Sequence, residues 1–255
     1  MRKFFDLFYG RGAGDFATND SFQIVFFYWA LIGIKPLRPL GLFRSLHMLF
    51  CWICLLMSPI AFNVGFMQVV QNSSMTVILT TLQATLNVLA LPLKAIVTGV
   101  YLERLRSVEP IFKCLDARYH SAEERFTIKD SVIKSSRLFV IVGGIYFAYG
   151  TISWLPALFT HSQPLNTWLP FIDWIPEPTI NFWLHFLFEV LYVYFLLVSQ
   201  FTNDIYSAIY LKALRTHITL LAERVSRLGE NPKHNDDDNY RDLIDCVRSH
   251  QELLE

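Results

Sequence analysis

The stretch Phe182-Trp183-Leu184-His185-Phe186-Leu187-Phe188-Glu189-Val190-Leu191-Tyr192-Val193-Tyr194-Phe195-Leu196-Leu197-Val198-Ser199-Gln200-Phe201-Thr202-Asn203 decides the fold class. It holds a single formally charged residue, Glu189. A bilayer core is crossed by about 20 consecutive, mostly apolar residues in a helix, and this run is long enough. A water-soluble helix of that length keeps a polar face, which is missing here. Three further runs read the same way: Leu46–Met67, Met75–Leu93 and Leu138–Phe159, none with an Asp, Glu, Lys or Arg. The second reaches Leu102 if Lys94 is tolerated near its end. The sequence therefore predicts an all-α integral membrane protein with four transmembrane helices.

Composition agrees. The 255 residues are 53% hydrophobic, 15% aromatic and 17% charged, against about 25% charged in soluble domains. The mean hydropathy is +0.34. Charges balance at 22 Lys+Arg against 22 Asp+Glu, which excludes the basic field of a nucleic-acid binder. High apolar content excludes a disordered chain. Four cysteines in this length make no disulfide framework.

The basic residues set an orientation. Six precede the first span, nine lie from Lys94 to Arg137, and seven from Lys212 to Arg248. None lies in 45–93 or 138–211. All fall on one side of a four-span zigzag, which the positive-inside rule makes the cytoplasm. The predicted organisation is a cytoplasmic N-terminal segment 1–45, spans 46–67 and 75–98, a cytoplasmic loop 99–136, span 138–159, an extracellular loop 160–181, span 182–204 and a cytoplasmic helical segment 205–255.

The N-terminal segment is not a signal peptide, because Asp6, Arg11 and Asp15 interrupt it. The run Phe22–Ile34 is too short to span and reads as an interfacial or re-entrant piece, broken by Pro36 and Pro39. Asn72-Ser73-Ser74 is a glycosylation sequon on the outer side, close to the membrane. Asn19-Asp20-Ser21 also matches but lies inside and is expected to be unmodified. The loop 160–181, with Pro164, Pro170, Pro176, Pro178, Trp168 and Trp174, reads as an irregular cap over spans three and four. Leu214, Ile218, Leu221, Val225 and Leu228 read as the packing stripe of a cytoplasmic helix that Gly229 ends. Leu243, Val247, His250 and Leu254 form the stripe of a second, which has no stop signal and is expected to continue.

Each candidate site competes with ordinary packing. Cys51 and Cys54 lie within span one, where core cysteines outweigh metal or redox chemistry. Asp236-Asp237-Asp238 lacks the Gly and distal Glu of a calcium loop. No phosphate loop, metal cluster, cofactor motif or nucleophile elbow is present, so neither catalytic nor metal residues are assigned. Glu189 is costly in a span. It reads either as a polar handle in a ligand cavity or a gating contact, or as a satisfied interhelical hydrogen bond; His185 lies one turn earlier on the same face. Tyr146, Tyr149, Gly150, Ser153 and Trp154 share one face of span three. That face suits a small, mostly apolar ligand, but on sequence alone close helix packing over Gly and Ser is the favoured reading. Span two offers Ile78, Leu82 and Thr85 in its outer half. Pro59, Pro92 and Pro156 are expected to kink their spans.

Taken together the residues resemble the insect odorant receptor family, seven-span proteins with an intracellular N-terminus. The resemblance rests on Tyr28-Trp29-Ala30-Leu31-Ile32-Gly33 leading into Pro36, and on Leu169-Pro170-Phe171-Ile172-Asp173-Trp174-Ile175-Pro176. It also rests on the long final pair, with Leu214-Arg215-Thr216-His217 and Asp245-Cys246-Val247-Arg248-Ser249-His250-Gln251-Glu252-Leu253-Leu254. It implies the tuning subunit of an odorant-gated, non-selective cation channel, assembled with a shared co-receptor in the plasma membrane of olfactory neuron dendrites. By matching positions, the Gly150–Trp154 and His185–Glu189 faces would line the odorant pocket. Spans five to seven of the family, including the pore-lining seventh, have no counterpart here, so the chain is expected to be truncated and to carry no odorant-evoked current alone. The rivals are a gustatory receptor of related topology and a four-span scaffold without channel activity. A rhodopsin-like receptor would place its N-terminus outside, and a transporter half would show an inverted repeat.

Overall fold

The computed structural model describes residues 16–34, 41–72, 74–161, 163, 165–230 and 235–254, the side chains of residues 72 and 80 apart. The regular elements among the described residues are helices: α1 (Asp20–Leu31), α2 (Leu42–Asn72), α3 (Met75–Val100), α4 (Leu102–Arg106), α5 (Val108–Arg118), α6 (Ala122–Thr160), α7 (Pro170–Asp173), α8 (Pro178–Ser226) and α9 (Asp236–Leu254). Helices α2, α3, α6 and α8 are long and apolar enough to cross a membrane. Each contains one of the four runs read from the sequence. Leu49, Phe50, Ile53 and Ile60 of α2, Ile141, Ile145 and Ile152 of α6, and Leu184, Leu187 and Leu191 of α8 are exposed in the isolated chain. Large apolar side chains left outside on a membrane-length helix are what lipid covers.

At 1.5 Å per residue the 49 residues of α8 run about 74 Å, more than twice the apolar thickness of a bilayer. Helices α6 and α8 accordingly contribute to two compact units, one of residues 1–25, 103–140 and 205–255, the other of residues 26–102 and 141–204.

The first unit is packed around α8 residues Ile209, Ala213, His217 and Leu220, all buried. The expected stripe is rotated only in part: Leu221 is buried, while Ile218 and Val225 are about half exposed, at 50% and 49%. The helix turns its polar-containing face inward because that face finds partners. His217 stacks on Phe112 of α5 at 5.2 Å between centroids. Arg224 forks onto Glu124 of α6 and lies 4.7 Å over the Tyr119 ring. Burial pushes the Tyr119 phenol up to about 12. The last helix α9 is rotated in the same sense. Cys246 and Ser249 face inward, while Leu243, Val247 and Leu254 stay exposed. The anchors are polar: Arg118 donates to Ser249 Oγ at 2.9 Å and to Glu252. Gly229, with φ of +79°, closes the turn after α8 as its position foretold.

The run Phe22–Ile34 forms α1 and the turn after it, with two faces: Phe22 and Trp29 are 0% and 1% exposed and pack against protein, while Phe27 and Leu31 are left exposed. The helix is closed by Gly33, at φ +80°; Pro36 and Pro39 lie outside the described residues. Ile34 N–H closes onto Trp29 O at 2.8 Å, the glycine-capped end that only a residue free of a β-carbon takes readily.

In the second unit α2 and α3 pack as a hairpin. Both pass through their prolines, Pro59 and Pro92, as single helices, as does α6 through Pro156. Lys94 is tolerated near the end of α3 because Asp204 of α8 lies 2.7 Å from its Nζ. The same carboxylate accepts from Tyr146 OH at 3.0 Å, and Thr98 donates to Asn203 at 2.9 Å. Residue 73 and the Asn72 side chain of the sequon lie outside the described residues.

Candidate ligand cavity

An apolar cavity of about 70 Å³ opens within the second unit. Its walls are one face from each long helix. Ala84, Asn87, Val88 and Leu91 of α3 and Val193, Leu196, Leu197 and Gln200 of α8 each fall at i, i+3, i+4 and i+7. Phe62 of α2, Tyr149 and Ser153 of α6, and Leu165 of the α6–α7 connection complete it. The few polar groups are a phenol, a hydroxyl and two amides, the composition expected of a site that orients a mostly apolar guest. Two larger clefts lie in the first unit, and both are edged by charged side chains such as Arg118, Glu124 and Asp242 or Lys113, Arg125 and Lys129. An apolar guest gains little there.

Of the sequence-predicted residues, Tyr149 and Ser153 line the cavity. Gly150 lies behind the wall, where a β-carbon would meet Leu197 Cδ1 at 2.6 Å and Tyr194 Cε1 at 3.3 Å. Trp154 is turned toward α8 and donates from Nε1 to Tyr194 OH at 3.1 Å. Tyr146 is taken by Asp204. Thr85 is buried and donates to Thr81 O at 2.8 Å. Ile78 and Leu82 are outside the cavity lining.

His185 and Glu189 are buried completely, 0% and 1% exposed. Their partners come from the α6–α7 connection and from α7, not from a neighbouring span. Glu189 accepts from Leu165 N–H at 3.1 Å, from Thr167 N–H at 2.8 Å and from the Thr167 hydroxyl at 2.5 Å. His185 Nε2 lies 2.7 Å from Asp173 Oδ1; an ionised carboxylate only accepts, so Nε2 is the donor. Trp168 N–H donates to Ala61 O of α2 at 3.0 Å. The connection thus does more than cap α6 and α8: it reaches α2.

Sequence reasoning missed the α3 and α8 faces, although their spacing is plain once Ala84 and Val193 are taken as origins. The missing signal was chemical. Val88, Leu91 and Leu196 look the same whether they face lipid, a neighbour or a cavity. Among the described residues no group of three His, Cys, Asp or Glu side chains could hold a metal.

Among the described residues, four membrane-length helices contribute to a partly open, mostly apolar cavity, and together they define a polytopic helical membrane protein. The 7tm Odorant receptor family matches residues 74–255, and the chain belongs to that family. It is 28% identical to Odorant receptor 59b of Drosophila melanogaster over 88% of this chain and 57% of that protein. It is 29% identical to Odorant receptor 43b of the same organism over 87% of this chain and 56% of the relative, and 29% identical to Odorant receptor 42b over 81% and 51%. The chain spans about half the length of the curated relatives it matches. No solved structure matches it.

Proposed function

We propose that the chain supplies the ligand-binding part of an odorant receptor subunit, taking a small, mostly apolar volatile molecule into the cavity bounded by Phe62, Val88, Leu91, Tyr149, Ser153 and Leu196. The observation that carries this reading is the chemistry of that cavity: apolar walls from four long helices with a phenol and a hydroxyl to orient the guest. Its small volume favours ligands of few heavy atoms, or ligands that push Leu197 aside. Selectivity then rests on shape, where one methylene is worth about 1–3 kcal/mol.

In the whole receptor, binding here would open a non-selective cation path formed together with a co-receptor subunit in the plasma membrane of an olfactory neuron. The distribution of basic residues supports a cytoplasmic N-terminus, 99–136 segment and 205–255 segment, with the α6–α7 connection outside. Membership of the odorant receptor family supports the receptor role.

The test is direct binding to the chain in lipid nanodiscs. The fluorescent probe N-phenyl-1-naphthylamine should bind saturably and be displaced by a subset of volatile esters and alcohols. Val88→Phe and Leu196→Phe, which fill the cavity, should weaken the probe about tenfold, the loss of some 1.4 kcal/mol. Probe binding that is absent, or indifferent to both substitutions, overturns the reading.

A further inference from the structure

The α6–α7 connection places non-helical backbone beside membrane-spanning helices. Such backbone is tolerated at membrane depth only where its polar groups find protein partners. Here they do. Leu165 and Thr167 N–H groups go to Glu189, and Trp168 N–H to Ala61 O. Asn166, between them, takes the left-handed conformation at φ +51°, which turns the segment so that both flanking amides face one carboxylate. Gly65 of α2 makes room: a β-carbon there would overlap the Asn166 carbonyl. Leu165, held by this arrangement, is among the described residues the one cavity wall residue that belongs to no helix.

These contacts separate two roles that the sequence alone leaves together. Glu189 has one oxygen on Leu165 and the other on Thr167. Both oxygens are therefore engaged without any guest, and Glu189 is absent from the cavity lining.

We propose that Glu189 is a positioning residue: its carboxylate seats Leu165 as a displaceable wall of the apolar cavity, with His185–Asp173 as a second clamp on α7, into which the connection runs. A ligand then enters and leaves when the 165–168 segment lifts from Glu189, and the strength of that seat sets the exchange rate. This rests on the reading of the cavity as a ligand site. The seat itself can be measured without any ligand.

Glu189→Gln discriminates. An amide keeps one oxygen for Thr167 but presents an N–H donor to the Leu165 N–H. The readout is labelling of Leu165→Cys by a membrane-impermeant maleimide, on the chain in nanodiscs, with Cys51, Cys54, Cys114 and Cys246 replaced by Ser or Ala. The expected result is labelling about tenfold faster in Glu189→Gln, the change that accompanies loss of one charge-assisted hydrogen bond. N-phenyl-1-naphthylamine should dissociate faster by a similar factor, with its equilibrium affinity changed much less. Thr167→Val, which removes only the hydroxyl donor, should act in the same direction and carries the test if Glu189→Gln does not fold. Asp173→Asn should do so through the second clamp. Labelling unchanged in the folded variants overturns the clamp whatever the probe does. Labelling accelerated in a protein that never binds the probe keeps the clamp and removes the ligand reading instead.

Discussion

Gly65 of α2 lies directly against the backbone carbonyl of Asn166, and a β-carbon at 65 would overlap that oxygen. The obstacle is backbone, which cannot swing aside as a side-chain tip can. Gly65→Ala should therefore unseat the connection and not merely crowd it. Overpacking a filled site costs about 1–3 kcal/mol. The expected outcome is a lowered melting temperature in detergent, with increased proteolysis between 165 and 169. Unchanged melting would mean that the connection has another resting place.

The four spans were legible because a run of membrane length with at most one charge, Glu189 in the fourth, is rarely compatible with water on any side of a helix. Gly229 was legible because a glycine after an apolar stripe has a mechanical reading. The rotation of α8 and α9 was not. The sequence offered Leu214, Ile218, Leu221, Val225 and Leu228, and then Leu243, Val247, His250 and Leu254, as the packing stripes, and of these Leu221 alone is buried among the described residues. The fold instead turns inward His217, Arg224 and Ser249, whose value depends on Phe112, Tyr119, Glu124 and Arg118. Partners distant in sequence carry no periodic signal. The same reason divides the site residues. Glu189 was singled out because a charge in a span is costly, but its partner was a loop amide, which no side-chain pattern reveals.

Gly150 stands behind Leu197 with no room for a methyl group: a β-carbon at 150 would lie 2.6 Å from Leu197 Cδ1. Leu197 is a flexible side chain and also lines the cavity. Gly150→Ala should push it inward and reduce the space. Affinity for the larger members of a homologous ester series should drop about tenfold for each roughly 1.4 kcal/mol of misfit, with the smallest members retained. Leu197→Ala should shift the preference toward longer chains. Ester titrations against bound N-phenyl-1-naphthylamine check both, and a preference unmoved by either substitution would place the guest elsewhere.

Tyr194 joins α8 to α6 through one hydroxyl, 2.7 Å from Thr151 Oγ1 and 3.1 Å from Trp154 Nε1. Its ring stacks on Phe147 at 4.6 Å. Tyr194→Phe keeps the ring and removes the hydroxyl. Interhelical hydrogen bonds in membranes average about 0.6 kcal/mol, so the expected loss is about 1 kcal/mol for the two. The Trp154→Phe variant should lose little more when Tyr194→Phe is already present. A double-mutant cycle on thermal unfolding reads that coupling, and strict additivity would show that the bond contributes nothing.

Asp116 gives the first unit a pH dependence of defined sign. Its carboxylate receives Thr18 N–H at 2.7 Å and the Thr18 hydroxyl at 2.8 Å, and His217 Nε2 stands 3.6 Å away. Burial raises its pKa above the ordinary carboxylate range. The two Thr18 hydrogen bonds oppose that shift without cancelling it, and Asp20 adds to it. A carboxyl raised in the fold binds more protons there than in the unfolded chain. Its contribution is then fully present below the ordinary carboxylate pKa and is lost as pH rises through the raised value. Burial also pushes the neighbouring His217 imidazole down to about 4, so a neutral His217 loosens the unit as pH falls below the ordinary imidazole range, and the Asp116 contribution is read with His217 replaced. In His217→Gln, amide hydrogen exchange of Val108–Arg118, corrected for its intrinsic pH dependence, should slow between neutrality and the ordinary carboxylate range. Adding Asp116→Asn, which cannot titrate, should flatten that trend. A slowing that survives Asp116→Asn would overturn the assignment.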